Sequence, residues 1–299
     1  MKFICIAAMA LLFYSCQRKT IVQTSPVGPA VSTDQRGNPM LLGVHTKEDL
    51  QQMPYKDWFE KNYTDYAVDS TTAKQLIPFV KNKKFEIFMG TWCGDSKREV
   101  PRMFKILAYA GVKPSQIKMI MLGDYDSIYK QSPGHEEKGK SIHRVPDLIV
   151  YDGKKEMNRI VEYPVVSLEK DLLDIAKGVP YQPNYKGAAY LLKRTKESNM
   201  DAVIKDSTNL IENLRSLVKN SADLNTLGYV WMHAGETDKA LMAFQLNVQL
   251  FPANANVYDS LGEINMKLNN KEVAKKCYLR ALQLNPGSVN AAKMLTLLN

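Results

Sequence analysis

The chain has 299 residues, 40 Lys and Arg against 31 Asp and Glu, and a formal charge of +9, which is length for about two domains at ~150 residues each. Its basic residues are scattered with no aromatic-interleaved stripe, which argues against a nucleic-acid binder and leaves the charge as solvated surface or as attraction to acidic partners or anionic lipid. Four cysteines, with no CxxC, HxxxH or phosphate-loop spacing, exclude a disulfide-built scaffold and give no reason to expect a metal or a cofactor.

Residues 1–15, MKFICIAAMALLFYS, hold one lysine and then an apolar run, shorter than the ~20 residues of a membrane span and suited to an export signal. Cys16 follows. The stretch LLFYSC resembles the lipobox of bacterial lipoproteins, in which a cysteine after a small residue is lipidated and becomes the mature N-terminus. Phe13 stands where that pattern usually has leucine, and an uncleaved anchor or a plain secretory signal is the other reading. The resemblance implies an exported protein of the bacterial cell envelope, periplasmic or at the outer membrane, held to the membrane by lipid on Cys16. Cys5 leaves with the signal, so the mature chain keeps only Cys93 and Cys277 as ordinary thiols. Residues 16–45 mix Ser, Thr, Pro, Gly and Gln without a period, the composition of a flexible tether spanning ~30 Å.

Residues 46–180 read as an α/β unit. STTAKQLIPFVKNKK predicts a helix, FEIFMG a buried strand, KREVPRMFKILAYAG a helix and IKMIMLG a second strand. A polar excursion, DYDSIYKQSPGHEEKGKSIHR, precedes Val145 and Pro146. The run DLIVYDGKKEMNRIVEY then predicts two strands around Asp-Gly, and SLEKDLLDIAKG a closing helix.

At the first strand-to-helix junction stands TWCGDSKREVP, residues 91–101. A cysteine at a helix start meets unpaired N–H groups and the positive end of the helix dipole, which favour the nucleophilic thiolate. Lys97 and Arg98 add to that field, and Asp95 opposes it. The strand, the WCG turn, Pro101 in the following helix and Val145-Pro146 before the next strand resemble the thioredoxin fold in chain order. The resemblance implies that Cys93 is the reactive thiol, that Trp92 lies beside it, that Pro146 is the cis-proline facing it, and that Val145 offers its peptide edge to an extended substrate. Ser96 stands where the second cysteine of a dithiol site is expected, which removes the intramolecular exit from a mixed disulfide. Ile87 replaces a buried acid, and Glu86 beside it belongs on the other face of the strand. What remains is monothiol chemistry resolved by an external thiol, oxidation sensing, or a scaffold in which Cys93 is unused. His143 is read as a loop histidine ahead of a Cys-His partner, and Cys277 as a packing residue.

From residue 181 the pattern is helical. Residues 181–220 predict a connector or degenerate repeat, and a 34-residue period follows. Leu227-Gly228 recurs as Leu261-Gly262, Ala240 as Ala274, Phe244 as Tyr278 and Pro252 as Pro286. These spacings resemble the tetratricopeptide repeat, with units at 221–254 and 255–288 and a capping helix at 289–299. The expected architecture is thus an α/β thioredoxin-like domain followed by an all-α repeat array. Its expected function is either thiol chemistry at Cys93 on a protein or peptide client, or a non-catalytic adaptor whose two domains only bind partners.

Overall fold

The computed structural model describes residues 32–298; the segment 1–15 and Cys16 lie outside the described residues. The later part of the expected tether is folded, a correction to the reading of 16–45. Strands β1 (Ser32–Thr33) and β2 (Pro39–Met40) form a short antiparallel hairpin, and β3 (Gly43–His45) is an antiparallel edge of the main sheet. Asp34 closes the hairpin, its carboxylate accepting from the N–H groups of Arg36 and Asn38 at 2.9 and 2.8 Å. Met40 and Leu41 are fully buried behind it. Strands this short show no period, so their turn-rich composition reads as linker. The folded body therefore begins by residue 32, not 46.

Helices α1 (Lys47–Leu50), α2 (Lys56–Asp65) and α3 (Ser70–Val80) follow, the last capped by Asp69, whose side chain accepts from Thr71 and Thr72. Then come β4 (Lys83–Met89), α4 (Gly94–Tyr109), β5 (Ile117–Met121), β6 (Asp147–Asp152), β7 (Lys155–Val161) and α5 (Leu168–Lys177), in the expected order, with β4 starting two residues and α4 three residues before its expected stretch. The sheet order is β3-β5-β4-β6-β7, with β4 parallel to β5 and antiparallel to β6. Central β4 shows why the sheet has two distinct sides. Phe85, Ile87 and Met89 enter the core built with α2 to α5, while Phe88 faces the other way with Ile120, Leu122 and Ile149. That second side is covered by the loop between β5 and β6 through Ile142 and Val145.

The remainder is helical: α6 (Lys186–Glu197), α7 (Met200–Lys205), α8 (Ser207–Leu217), α9 (Ala222–His233), α10 (Thr237–Leu250), α11 (Ala255–Lys267), α12 (Lys271–Leu284) and α13 (Val289–Leu298). Among the described residues no helix is long and apolar enough to cross a membrane. The pairs α9/α10 and α11/α12 carry the 34-residue period, and Pro252 and Pro286 each stand two residues past the second helix. Leu227, Ala240, Ala274, Phe244 and Tyr278 are buried, Leu261 packs partly buried against the same core, and Cys277 lies buried on α12. The glycines explain the period physically. A Cβ on Gly228 would stand 2.6 Å from the Phe244 ring, and one on Gly262 2.8 Å from the Tyr278 ring. Each aromatic of the second helix therefore lies directly against the backbone of the first.

Alanine at either glycine gains up to ~1 kcal/mol of helix propensity but overpacks a closed interface at a cost of about 1–3 kcal/mol. Gly228→Ala and Gly262→Ala are each expected to lower stability, measured as an earlier urea midpoint with an unchanged slope.

Candidate functional site

The site is built where β4 passes into α4. Gly90 ends the strand, and a Cβ there would stand 2.3 Å from the Trp92 ring, so only glycine lets the indole fold back. The Trp92 Nε1 donates to the Leu122 carbonyl at 2.8 Å, and the N–H of Leu41 donates to the buried Thr91 hydroxyl at 3.3 Å. The N–H of Cys93 donates to the Gly90 carbonyl at 3.0 Å, and Cys93 is the N-cap of α4. Pro101 is buried inside that helix.

Cys93 is half-buried, and its Sγ donates to the Val145 carbonyl at 3.3 Å. The Val145–Pro146 peptide is cis, and both residues are buried. Trp92 packs with Cys93 in the cluster on the second side of the sheet. The structure therefore brings together Trp92, Cys93, Val145 and Pro146. Ser96 is fully buried in the same turn, and its hydroxyl accepts from the Gly90 N–H at 3.3 Å. Its work is to lock the turn, and no hydrogen bond joins it to Cys93 among the described residues. Ile87 is fully buried in the main core, and Glu86 on the opposite side accepts from Lys140 and Tyr151 at 2.6 and 2.9 Å.

Of the expected charges, Asp95 and Arg98 pair with each other at 2.7 Å, with side chains 37% and 42% exposed. Such a solvated pair is worth at most about 1 kcal/mol, and Arg98 also pairs with the buried Glu99 at 2.6 Å, so neither Asp95 nor Arg98 is an unpaired charge beside the sulfur. No hydrogen bond joins His143 to Cys93 among the described residues. Its ring is buried edge-on against Tyr185, and burial, then Arg159, push its pKa down to about 3, so it stays neutral.

Three further residues face the site, and spacing alone did not mark them. Lys130 lies in the β5–β6 loop with a left-handed backbone, φ 51°, and is only 8% exposed. Burial first and Arg144 second pull its pKa down to about 8, while Cys93 and Glu162 pull the other way. Glu162 follows β7; its N–H donates to the Pro146 carbonyl at 2.7 Å, and its carboxyl is raised by burial against the pull of Arg144. Arg144 stands 4.6 Å from the centre of the Tyr185 ring, 3.9 Å from Glu162, and donates to the Ala222 carbonyl at 3.1 Å. The stretch read as a polar excursion has buried residues, Ser132, Ile142 and His143 among them, and Gln131 donates to the His233 carbonyl at 2.9 Å. Among the described residues no group of three or more His, Cys, Asp or Glu is placed to hold a metal ion.

Comparison with known families matches residues 255–288 to the tetratricopeptide repeat, on α11 and α12, the second of the two repeats expected. No curated protein matches the chain significantly. The C-terminal region is thus helical with a tetratricopeptide repeat, a unit that commonly mediates protein–protein interaction.

Lys130 releases its proton near pH 8 in the folded protein, against 10.5 for an ordinary lysine. Between these values the unfolded chain binds more protons, so stability rises with pH there and is lowered by the buried charge below pH 8. Lys130→Met is expected to be more stable than the parent at pH 7, with the gap closing as pH rises from 8 toward 10.5, read from urea unfolding across that range.

Proposed function

We propose that the chain is an exported, lipid-anchored thiol protein of the bacterial cell envelope that acts through Cys93 on a protein client held in part by the repeat array. In this reading the α/β body through residue 180 is a thioredoxin-like domain, residues 181–220 are a connector, and 221–254 and 255–288 are repeats closed by α13. The observation that carries it is the sulfur's position, at the N-cap of α4 and 3.3 Å from the carbonyl that precedes Pro146. The element order, Pro101 within α4 and the proline loop facing the cysteine all support the thioredoxin resemblance.

The chemistry follows from what surrounds the sulfur. The Cys93 thiolate attacks one sulfur of a client disulfide; that S–S bond breaks, the departing client sulfur takes up a proton, and a Cys93–client disulfide forms. The α4 N-terminus and the Lys130 ammonium bring positive charge to the sulfur while the Val145 carbonyl accepts its proton, and the Lys130 charge is lost above about pH 8. Ser96 is tied to Gly90 and has no sulfur to offer, so a thiol from outside attacks the mixed disulfide, leaves with the client sulfur and regenerates the Cys93 thiolate. The tetratricopeptide match favours a second reading, a non-catalytic adaptor in which the cysteine is incidental.

Alkylation of the full chain followed by peptide mapping separates the two, because Cys277 is buried and reports the background. Thiol chemistry predicts that the Cys93 peptide is modified faster than a free cysteine at pH 7, that Lys130→Met slows it, and that Cys93→Ser abolishes client adducts. An unreactive Cys93, with adducts and partners unchanged by Cys93→Ser, selects the adaptor.

A further inference from the structure

We propose that the groove lined by α9, α11, α12 and α13 together with the β5–β6 loop binds a basic side chain, an arginine guanidinium or a lysine ammonium, carried on an extended segment of a protein partner. On a chain of formal charge +9, this cavity of about 510 Å³ has three carboxylates in its lining, Asp126, Asp259 and Glu263, and no lysine or arginine there among the described residues. Tyr278 supplies an observation independent of the acids. It is fully buried, lines the same cavity, and its hydroxyl has no hydrogen-bond partner. A buried hydroxyl left unpaired is costly unless a ligand completes it.

The acceptors still open favour a cation. Asp259 takes the Asn290 amide on Oδ2 at 2.8 Å, leaving Oδ1 buried and unpartnered, and Glu263 takes the Tyr229 hydroxyl on Oε2 at 2.7 Å. Burial raises both carboxyls, and Glu263 is raised further by Asp259 and Asp126, a repulsion that an incoming positive charge relieves. Lys267 acts on Glu263 and His233 from outside the lining. Tyr229 and His233 add aromatic faces, with ring centres 6.3 Å apart, suited to a guanidinium or ammonium, while the Tyr129 ring beside them already carries the Lys130 ammonium 4.2 Å from its centre. A free polyamine offers the same charge, but the tetratricopeptide match points to a protein as its source.

The inference deepens the client-binding part of the proposed function and rests on the repeat array, not on Cys93. It is tested by fluorescence anisotropy on the full chain with a labelled, acetylated arginine peptide, its uncharged citrulline counterpart, and spermidine as competitor. The arginine peptide is expected to bind, the citrulline peptide to bind at least about tenfold more weakly, and Asp259→Asn with Glu263→Gln to cause a similar loss. Cys93→Ser carried alongside leaves this affinity unchanged, which separates the groove from the thiol reading. Equal binding of the citrulline peptide overturns the proposal, as does an unaffected double variant or displacement by spermidine at concentrations below that of the peptide. Should the double variant fold poorly, the arginine–citrulline comparison on the parent chain decides alone.

Discussion

The Arg144 guanidinium joins the two halves of this protein. It stands one residue before the carbonyl that accepts from Cys93, packs on the Tyr185 ring, lies 3.9 Å from Glu162 and donates to the first carbonyl of α9. It also pulls down the Asp223 carboxyl, which burial has raised to about 6. A cation enclosed by two carboxylates, a ring and a backbone acceptor is hard to move without leaving another charge unpaired. The thiol loop and the repeat array therefore share one anchor.

Tyr185 shows how firmly that junction is set. It begins α6 with φ 61°, a left-handed conformation that costs a bulky residue about 1–3 kcal/mol. Its hydroxyl donates to Glu162, its ring meets His143 edge-on at 5.8 Å, and the Arg144 guanidinium covers it. Glu162 in turn donates its N–H to Pro146. A strained helix start is thus tied by two ring contacts to the loop facing the sulfur, and by a third contact to Glu162 after β7. Below that loop, Asp147 is fully buried and paired with Arg159 at 2.9 Å, which fixes the first residue of β6 behind the proline.

This arrangement gives the β5–β6 loop two duties. Ile142 and Val145 close the second side of the sheet over Cys93, while Tyr129 and Gln131 contact the repeat helices at Tyr229 and His233. A partner seated against α9 would lie on the same loop that carries Lys130, whose charge reaches Cys93. One loop thus borders both the sulfur and the groove against the repeat helices.

The sequence by itself determined the elements whose signals are local. Apolar runs placed β4 to β7, Asp-Gly placed the hairpin, and the recurrence of Leu-Gly, alanine, aromatic and proline placed α9 to α12 and the matched repeat. It also marked Trp92, Cys93, Val145 and Pro146, because each sits beside a strand or helix boundary readable from its neighbours. Only the tertiary structure decided the rest. The short strands at 32–45 exist through pairing with partners far along the chain. Ser96 turned out to face Gly90, Asp95 to be paired with Arg98, and His143 to be buried against Tyr185. Lys130, Arg144 and Glu162 converge from a loop and a strand end, and the acidic groove from four helices and that loop. Periodicity reports which face of an element is apolar, whereas the company a polar side chain keeps depends on contacts between residues tens to more than a hundred positions apart.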